Sequence, residues 1–254
     1  MDIFQAIIIG IIEGFTEFLP ISSTGHMIVA SHFMGIEQDS VNKAYEVIIQ
    51  FSAILAVMLL YRDRFTIKHI SLWQKLFIAF LPLAIIGFIF KDYIKTLFSM
   101  DIVAIMFIVG GVVFLIVEKF YKEDDRLTTN LDDITFKQSF LIGVAQIFSL
   151  IPGTSRAGAT IIGGFLVKLD RKTSTEFSFL LVIPVMGAVS GYDLLKHYHE
   201  FANLDYTPFI IGFIVSFIVA YITIKSLLIF LERFTFVAFG IYRIVFGVVL
   251  LFLF

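Results

Sequence analysis

The sequence predicts an all-α polytopic membrane protein: an inverted-topology repeat with six transmembrane helices and two re-entrant helical hairpins. Three observations carry that prediction. Hydrophobic residues make up 59% of the 254 positions and the mean hydropathy is +0.95, above the roughly 45–50% apolar content of soluble domains. Six apolar stretches, 44–61, 73–90, 102–118, 174–192, 208–230 and 235–254, approach the ~20 residues a helix needs to cross the hydrocarbon. Two further apolar regions, 3–34 and 136–167, are too long for one crossing, and each is broken by a proline inside a polar cluster.

Residues 3–34 come first. Pro20 divides them into halves of about 16 and 14 residues, roughly 21–24 Å each at 1.5 Å per residue, short of the ~30 Å core. Such a pair turns back inside the membrane, where non-helical backbone is tolerated only if protein or water surrounds it. The stretch lacks a basic leading region and contains Glu13 and Glu17, so it is expected to be a retained segment and not a cleaved signal. Three crossings follow, and then a mixed-charge segment from Lys122 to Asp133 that reads as a solvated loop. Residues 136–167 repeat the hairpin, broken at Pro152–Gly153, and three more crossings close the chain. The plan is one membrane domain, 1–254, with repeat halves of about 1–130 and 131–254 in opposite orientations. The motifs are weakly alike, Glu13…Leu-Pro20-Ile-Ser-Ser-Thr beside Gln146…Ile-Pro152-Gly-Thr-Ser-Arg. Inverted repeats often place a site near the midplane where broken helices meet.

Loop charge sets the orientation. With both termini outside, only Lys43, Lys91, Lys95 and Lys196 face outward, and every other loop Lys and Arg is cytoplasmic. Arg156 and Arg243 lie within apolar segments; Arg243 is expected to snorkel or pair. A net charge of −2 suggests no nucleic-acid partner, and the absence of cysteine excludes disulfides and thiolate metal sites.

Charged and hydroxyl side chains at membrane depth are costly and by default mark function. Glu13 and Glu17 are one turn apart and share a helix face. With two buried carboxylates that close, either one holds a proton or a cation sits between them. A divalent ion with phosphate oxygens would satisfy them; lining an ion or proton path is the other reading. Ser22, Ser23, Thr24 and His26 follow the Pro20 break. His26 suits a nucleophile or general acid–base role, although an isolated histidine is more often a hydrogen-bonded interior group. The serines act on substrate or cap the second half-helix. Pro152-Gly153-Thr154-Ser155-Arg156 opens a half-helix, whose free N–H groups and dipole attract anions. With the guanidinium fork of Arg156 and the hydroxyls of Thr154, Ser155 and Thr160, it reads as a phosphate clamp; a structural ion pair between Arg156 and Glu13 or Glu17 is the alternative. Glu46 and Gln50 are second-layer partners of the carboxylates, or Glu46 is interfacial. His32, His69, His197 and His199 read as interfacial.

These motifs, Glu13-x3-Glu17, Pro20-Ile-Ser-Ser-Thr-Gly-His26 and Pro152-Gly-Thr-Ser-Arg-x3-Thr160, together with Tyr45-Glu-Val-Ile-Ile-Gln-Phe-Ser-Ala-Ile-Leu-Ala-Val57, closely resemble the bacitracin-resistance family of undecaprenyl-diphosphatases over nearly the whole chain. One departure is Ala157, where the family commonly carries a serine; it bears only on a hydroxyl role there. The resemblance implies hydrolysis of undecaprenyl diphosphate to undecaprenyl phosphate, which recycles the carrier for cell-wall polymers and raises bacitracin resistance. It implies a multi-pass protein of the bacterial inner membrane, a site open to the extracytoplasmic face and a divalent cation, Mg2+ or Ca2+, held by Glu13 and Glu17. The implied catalytic residues are Glu13, Glu17, Ser23, His26 and Arg156, with Arg156, Ser155, Thr154, Thr160, Ser22 and Gly153 on the phosphate. A homodimer is a further expectation. His26, Ser23 and water remain alternative nucleophiles. A polyprenyl-phosphate transporter using the same clamp is the rival class.

Overall fold

The computed structural model describes residues 1–37, 39–122, 127–197 and 206–254, without the side chains of Ser40 and 192–197. Arg126 and His199, and the side chains of Lys196 and His197, therefore lie outside the described residues. The chain is helical: α1 (Ile3–Thr16), α2 (Ser23–Phe33), α3 (Ser40–Leu60), α4 (Ile70–Ile89), a short α5 (Lys91–Thr96), α6 (Met100–Phe120), α7 (Phe136–Gln146), α8 (Arg156–Leu166), α9 (Arg171–His197), α10 (Tyr206–Leu231) and α11 (Val237–Leu253). The isolated β-bridge described is a parallel one, Thr128 with Leu169.

Among the described residues, five helices are long and apolar enough to cross a membrane: α3, α4, α6, α9 and α10. The expected sixth crossing is shorter than its apolar run. α11 has 17 residues, about 25 Å at the helical rise. It starts late because the Phe236 N–H donates to Glu118 Oε1 (2.9 Å), and that carboxylate also receives Arg171 Nη2 (2.7 Å). Glu118, buried and paired with the half-buried Arg171, thus marks where the last helix begins.

Both broken regions fold as paired half-helices, α1 with α2 and α7 with α8. Capping boxes start the first member of each. Asp2 and Gln5 exchange side-chain-to-backbone bonds at α1, and Thr135 and Gln138 do so at α7, satisfying orphan N–H donors. The half-helices are joined by a turn over 17–22 in the first region and, in the second, by a 3-10 turn (Ile147–Leu150) followed by a turn over 151–155. The first turn is packed into the protein interior. Phe18, Leu19 and Ile21 sit in the main core with Ala53, Val57, Phe177, Leu180 and Leu181. Phe18 meets Phe179 edge-to-face at 5.3 Å.

Small residues set the helix crossings. Gly10 and Gly14 of α1 lie against the backbone of Gly212 and Ser216 of α10, Gly143 of α7 against Ala79 of α4, and Gly111 of α6 against Gly240 of α11. A Cβ at any of these would press into the neighbouring main chain, so the close approach depends on glycine. Arg243 neither snorkels nor pairs with a carboxylate among the described residues: it is wholly buried, and its partners are main-chain carbonyls. His69 does bind a partner at the surface, Asp132 at 3.0 Å. Burial favours a protonated Asp132, but the hydrogen bond and charge of His69 and the charge of Arg64 outweigh it and hold this carboxyl below its ordinary range.

Candidate active site

The centre of the site is a contact between the two broken regions. Glu17 is the C-cap of α1, and its N–H still donates to the Glu13 carbonyl. Its side chain therefore leaves the helix end toward the second hairpin. Oε1 receives Arg156 Nη2 at 2.8 Å, and Oε2 receives the Ser23 hydroxyl at 2.6 Å. Arg156 begins α8 and donates Nη1 to the Ser178 carbonyl of α9 at 2.7 Å. Thr160, one turn further on, places its hydroxyl 2.6 Å from Ser178 Oγ. The Arg156 and Glu17 side chains are 8% and 5% exposed, so this is a buried charge pair. Such a pair persists only when its remaining polar valences are met.

Several are not met by protein. Both carboxylate oxygens of Glu13 are buried without a hydrogen-bond partner, as are Arg156 Nε, the Thr154 hydroxyl and both amide atoms of Gln146. Buried polar atoms are almost always paired, so each orphan demands an account. Of these, Glu13 lies within electrostatic reach of both members of the ion pair, and Arg156 Nε belongs to it. Glu13 also feels the charges of Glu17, Glu46 and Arg156, so Glu46 is within electrostatic reach of the carboxylate pair. Among the described residues no three His, Asp or Glu side chains converge into an all-protein metal cage. Two carboxylates, one of them with both oxygens free, do fit an ion completed by phosphate oxygens, the usual manner of Mg2+.

Ser22 and Ser155 are helix caps. Both hold positive φ, 70° and 74°. Each accepts from the N–H of the glycine three residues on, Gly25 at 3.4 Å and Gly158 at 3.1 Å. Their likeness resets the internal alignment: Ser22 matches Ser155, and not Thr154 as the prolines suggest. The second turn carries one extra residue between proline and cap, taken up at Gly153, whose φ is 90°.

His26 is not drawn to the ion pair. Its Nδ1 lies 2.8 Å from the Ser22 carbonyl and its Nε2 2.6 Å from the Tyr242 hydroxyl. The ring stacks on Phe246 at 4.7 Å. It faces a cleft of about 430 Å³ lined by Ile12, Phe15, Thr16, Leu19 and Tyr242. A second cleft of about 450 Å³ shares Phe15, Leu19 and Phe239 and continues past Ser226 and Phe230. Together they form an apolar groove along α1, α10 and α11 with a polar end at His26.

The family described as "Bacitracin resistance protein BacA" matches residues 6–249. The chain belongs to this family. The undecaprenyl-diphosphatase of Sulfurovum sp. (strain NBC37-1) is 68% identical over 99% of both chains. That of Sulfurimonas denitrificans is 66% identical over the full length of both, and that of Methanococcus aeolicus is 53% identical over 100% of this chain and 99% of its own. Identity of that extent spans both hairpins, so the BacA assignment covers every residue of the site.

Residues that sequence reasoning placed less well are Ser178 and Arg243. Ser178 is an unremarkable serine in a crossing helix, and nothing in its spacing marks it. Arg243 carries a signal, a lone arginine deep in an apolar run, but its partners are carbonyls and so leave no trace in the sequence.

Proposed function

We propose that the chain is an integral membrane phosphatase that hydrolyses undecaprenyl diphosphate to undecaprenyl phosphate and inorganic phosphate, recycling the lipid carrier for cell-wall synthesis and conferring bacitracin resistance. The observation that carries the reading is the buried meeting of Glu17, Ser23 and Arg156, in a BacA chain 68% identical to a relative of that activity.

Arg156 takes the terminal phosphate, with Nε free of a protein partner; guanidinium donors suit its oxygens, and the unpartnered Thr154 hydroxyl on the same turn is a candidate second donor. Glu13 and Glu17 would hold a divalent cation, Mg2+ or Ca2+, which when bound neutralises charge on the phosphate. Glu17 accepts the Ser23 proton at 2.6 Å, so it is placed to receive it as Ser23 Oγ, or a water in its place, attacks the terminal phosphorus. The bond from that phosphorus to the bridging oxygen breaks, and undecaprenyl phosphate leaves. On the Ser23 route water then displaces Ser23 Oγ from the phosphoserine, Ser23 regains its proton from Glu17 and inorganic phosphate is released; on the water route inorganic phosphate forms directly. Both His26 ring nitrogens are already engaged, which favours Ser23 or water over His26 as nucleophile and gives His26 the task of fixing the α2 start. Ser22, Ser155 and Gly153 shape the two turns, and Thr160 supports Arg156 through Ser178. The prenyl tail lies along the apolar groove of α1, α10 and α11.

The two halves are read as an inverted repeat with re-entrant hairpins. Packing supports this: α1 lies on α10 as α7 lies on α4, α3 meets α10 as α9 meets α4, and α3 meets α9 as α6 meets α11. Each relation is what a two-fold between the halves would produce. With loop charges setting orientation, both termini are extracytoplasmic and the site opens to that face.

The test is phosphate release from undecaprenyl diphosphate by purified protein, with and without EDTA, beside Arg156→Ala, Ser23→Ala and His26→Ala. EDTA-sensitive release, abolished by Arg156→Ala and Ser23→Ala and only weakened by His26→Ala, is expected. Full release in Ser23→Ala would leave water as nucleophile. No release from folded wild-type protein would overturn the phosphatase and make a polyprenyl-phosphate transporter the better reading.

A further inference from the structure

All five guanidinium N–H donors of Arg243 are used, and every acceptor is a main-chain carbonyl. Nη1 donates to Pro20 (3.0 Å) and Thr154 (2.8 Å). Nη2 donates to Gly153 (2.9 Å) and Met106 (2.9 Å), and Nε to Phe107 (3.4 Å). One residue of α11 therefore ties the turn of the first hairpin, the turn of the second and the middle of α6. The residue is 0% exposed. Gly110 makes room for it: a Cβ there would strike the guanidinium.

The acceptors matter for where they sit. Pro20 precedes the Ser22 cap by two residues and Ser23 by three. Gly153 and Thr154 directly precede the Ser155 cap and Arg156. The Glu17–Arg156 contact joins two chain segments otherwise far apart in sequence, and a 2.8 Å contact requires the two turns to keep a fixed separation. Turn carbonyls have no helical partner, and in hydrocarbon they cannot turn to water. A planar fork with five donors meets several of them at once; a lysine ammonium has three donors and no fork.

We infer that Arg243 is a positioning residue for the phosphate site: it holds the two hairpin turns in register so that Glu17 and Ser23 of one face Arg156 of the other. The inference rests on the phosphatase reading for its kinetic consequence, but not for its structural one. Arg156 alone still holds phosphate when the register slips, whereas the proton acceptor and nucleophile no longer align. The loss therefore falls on kcat.

The test uses the full chain in detergent, as wild type, R243K, R243Q and G110A, the last displacing the guanidinium without removing it. A misplacement of about 1 Å can cost about a hundredfold in rate. Accordingly kcat should fall about a hundredfold in R243K and R243Q and about tenfold in G110A, with KM within about threefold of wild type. Hydrogen exchange should rise together in 17–22 and 151–155. A wild-type kcat in folded R243K, or a loss confined to KM, would overturn the inference. So would exchange that rises only in α6 and α11, the outcome for an arginine that merely supports its own helix pair. If both arginine variants fail to fold, G110A decides by the same readings. A wild-type protein that releases no phosphate sinks the phosphatase reading, and the exchange data still judge the tie between the turns.

Discussion

The two broken hairpins are made by one backbone device and end in opposite chemistry. Each closes with a serine at positive φ that caps the second half-helix and accepts from a glycine N–H three residues later. Aligned on those serines, Glu13 stands opposite Gln146, Glu17 opposite Leu150, Ser23 opposite Arg156 and His26 opposite Ala159. The first hairpin supplies acceptors and a hydroxyl; the second supplies a cation and donors. The clefts beside them diverge in the same way. The first is walled by Thr16, His26 and Tyr242, and the second, about 320 Å³, by Val109, Gly110, Ala159 and Ile162. The two half-helix ends face each other, and on the proposed reading it is the departures from symmetry at Glu13/Gln146, Glu17/Leu150 and Ser23/Arg156 that make their meeting a phosphate site. This is the arrangement expected where electrostatic placement, with little covalent chemistry, does most of the catalysis of phosphoryl transfer.

The comparison breaks most visibly at Arg156. Replacing it by alanine makes this position neutral, as Ser23 is in the first hairpin, and strands Glu17. Removing one partner of a buried ion pair costs about 3–5 kcal/mol in stability, and if Arg156 is the proposed phosphate donor, kcat should fall by about a thousandfold. R156K should recover part of the stability but little activity, because an ammonium cannot span both Glu17 and the Ser178 carbonyl. The checks are thermal unfolding in detergent and phosphate release on the same samples. An R156K variant with wild-type kcat would show that the charge matters and the fork does not.

A smaller effect separates the two orphans. Glu13→Gln makes the first hairpin resemble the second, and activity should fall about a hundredfold as one of two carboxylates available to a cation is lost. The remaining release should also respond less to EDTA. Gln146→Met removes a buried amide whose atoms have no partner. Relief of that unmet polar group should raise stability by about 1 kcal/mol, with activity reduced by less than about tenfold. Equal losses of activity in the two variants would mean that Gln146 contacts substrate as closely as Glu13.

These contrasts also mark what the sequence could disclose. The breaks at Pro20 and Pro152–Gly153 were legible because proline stops a helix and polar residues in an apolar run carry a cost. The same cost singled out Glu13, Glu17 and Arg156. The Arg156–Glu17 contact was one of two readings left open, since a clamp and an ion pair use the same residues. The direction of His26 was hidden. On a two-to-three-turn helix, Ser23 and His26 both follow the break, and only the aromatic wall of α11 shows that one side chain turns to Glu17 and the other to Tyr242. Arg243 was hidden more deeply, because every residue offers a carbonyl. The late start of α11 follows from an N–H captured by Glu118, a contact between positions 118 residues apart.

The finest test addresses the shared device itself. Ser22 and Ser155 each combine a capping hydroxyl with a backbone conformation that side chains resist. Alanine loses the cap and keeps the strained φ, and should cost about 0.5–2 kcal/mol at either position. Glycine also loses the cap but adopts φ near 70° freely, so its cost should be a few tenths of a kcal/mol. The expected order of thermal midpoints is wild type, then glycine, then alanine, and it should be the same at both hairpins. A different order at one hairpin would show that its serine is held by the site and not by the turn, and the two ends would no longer be one device used twice.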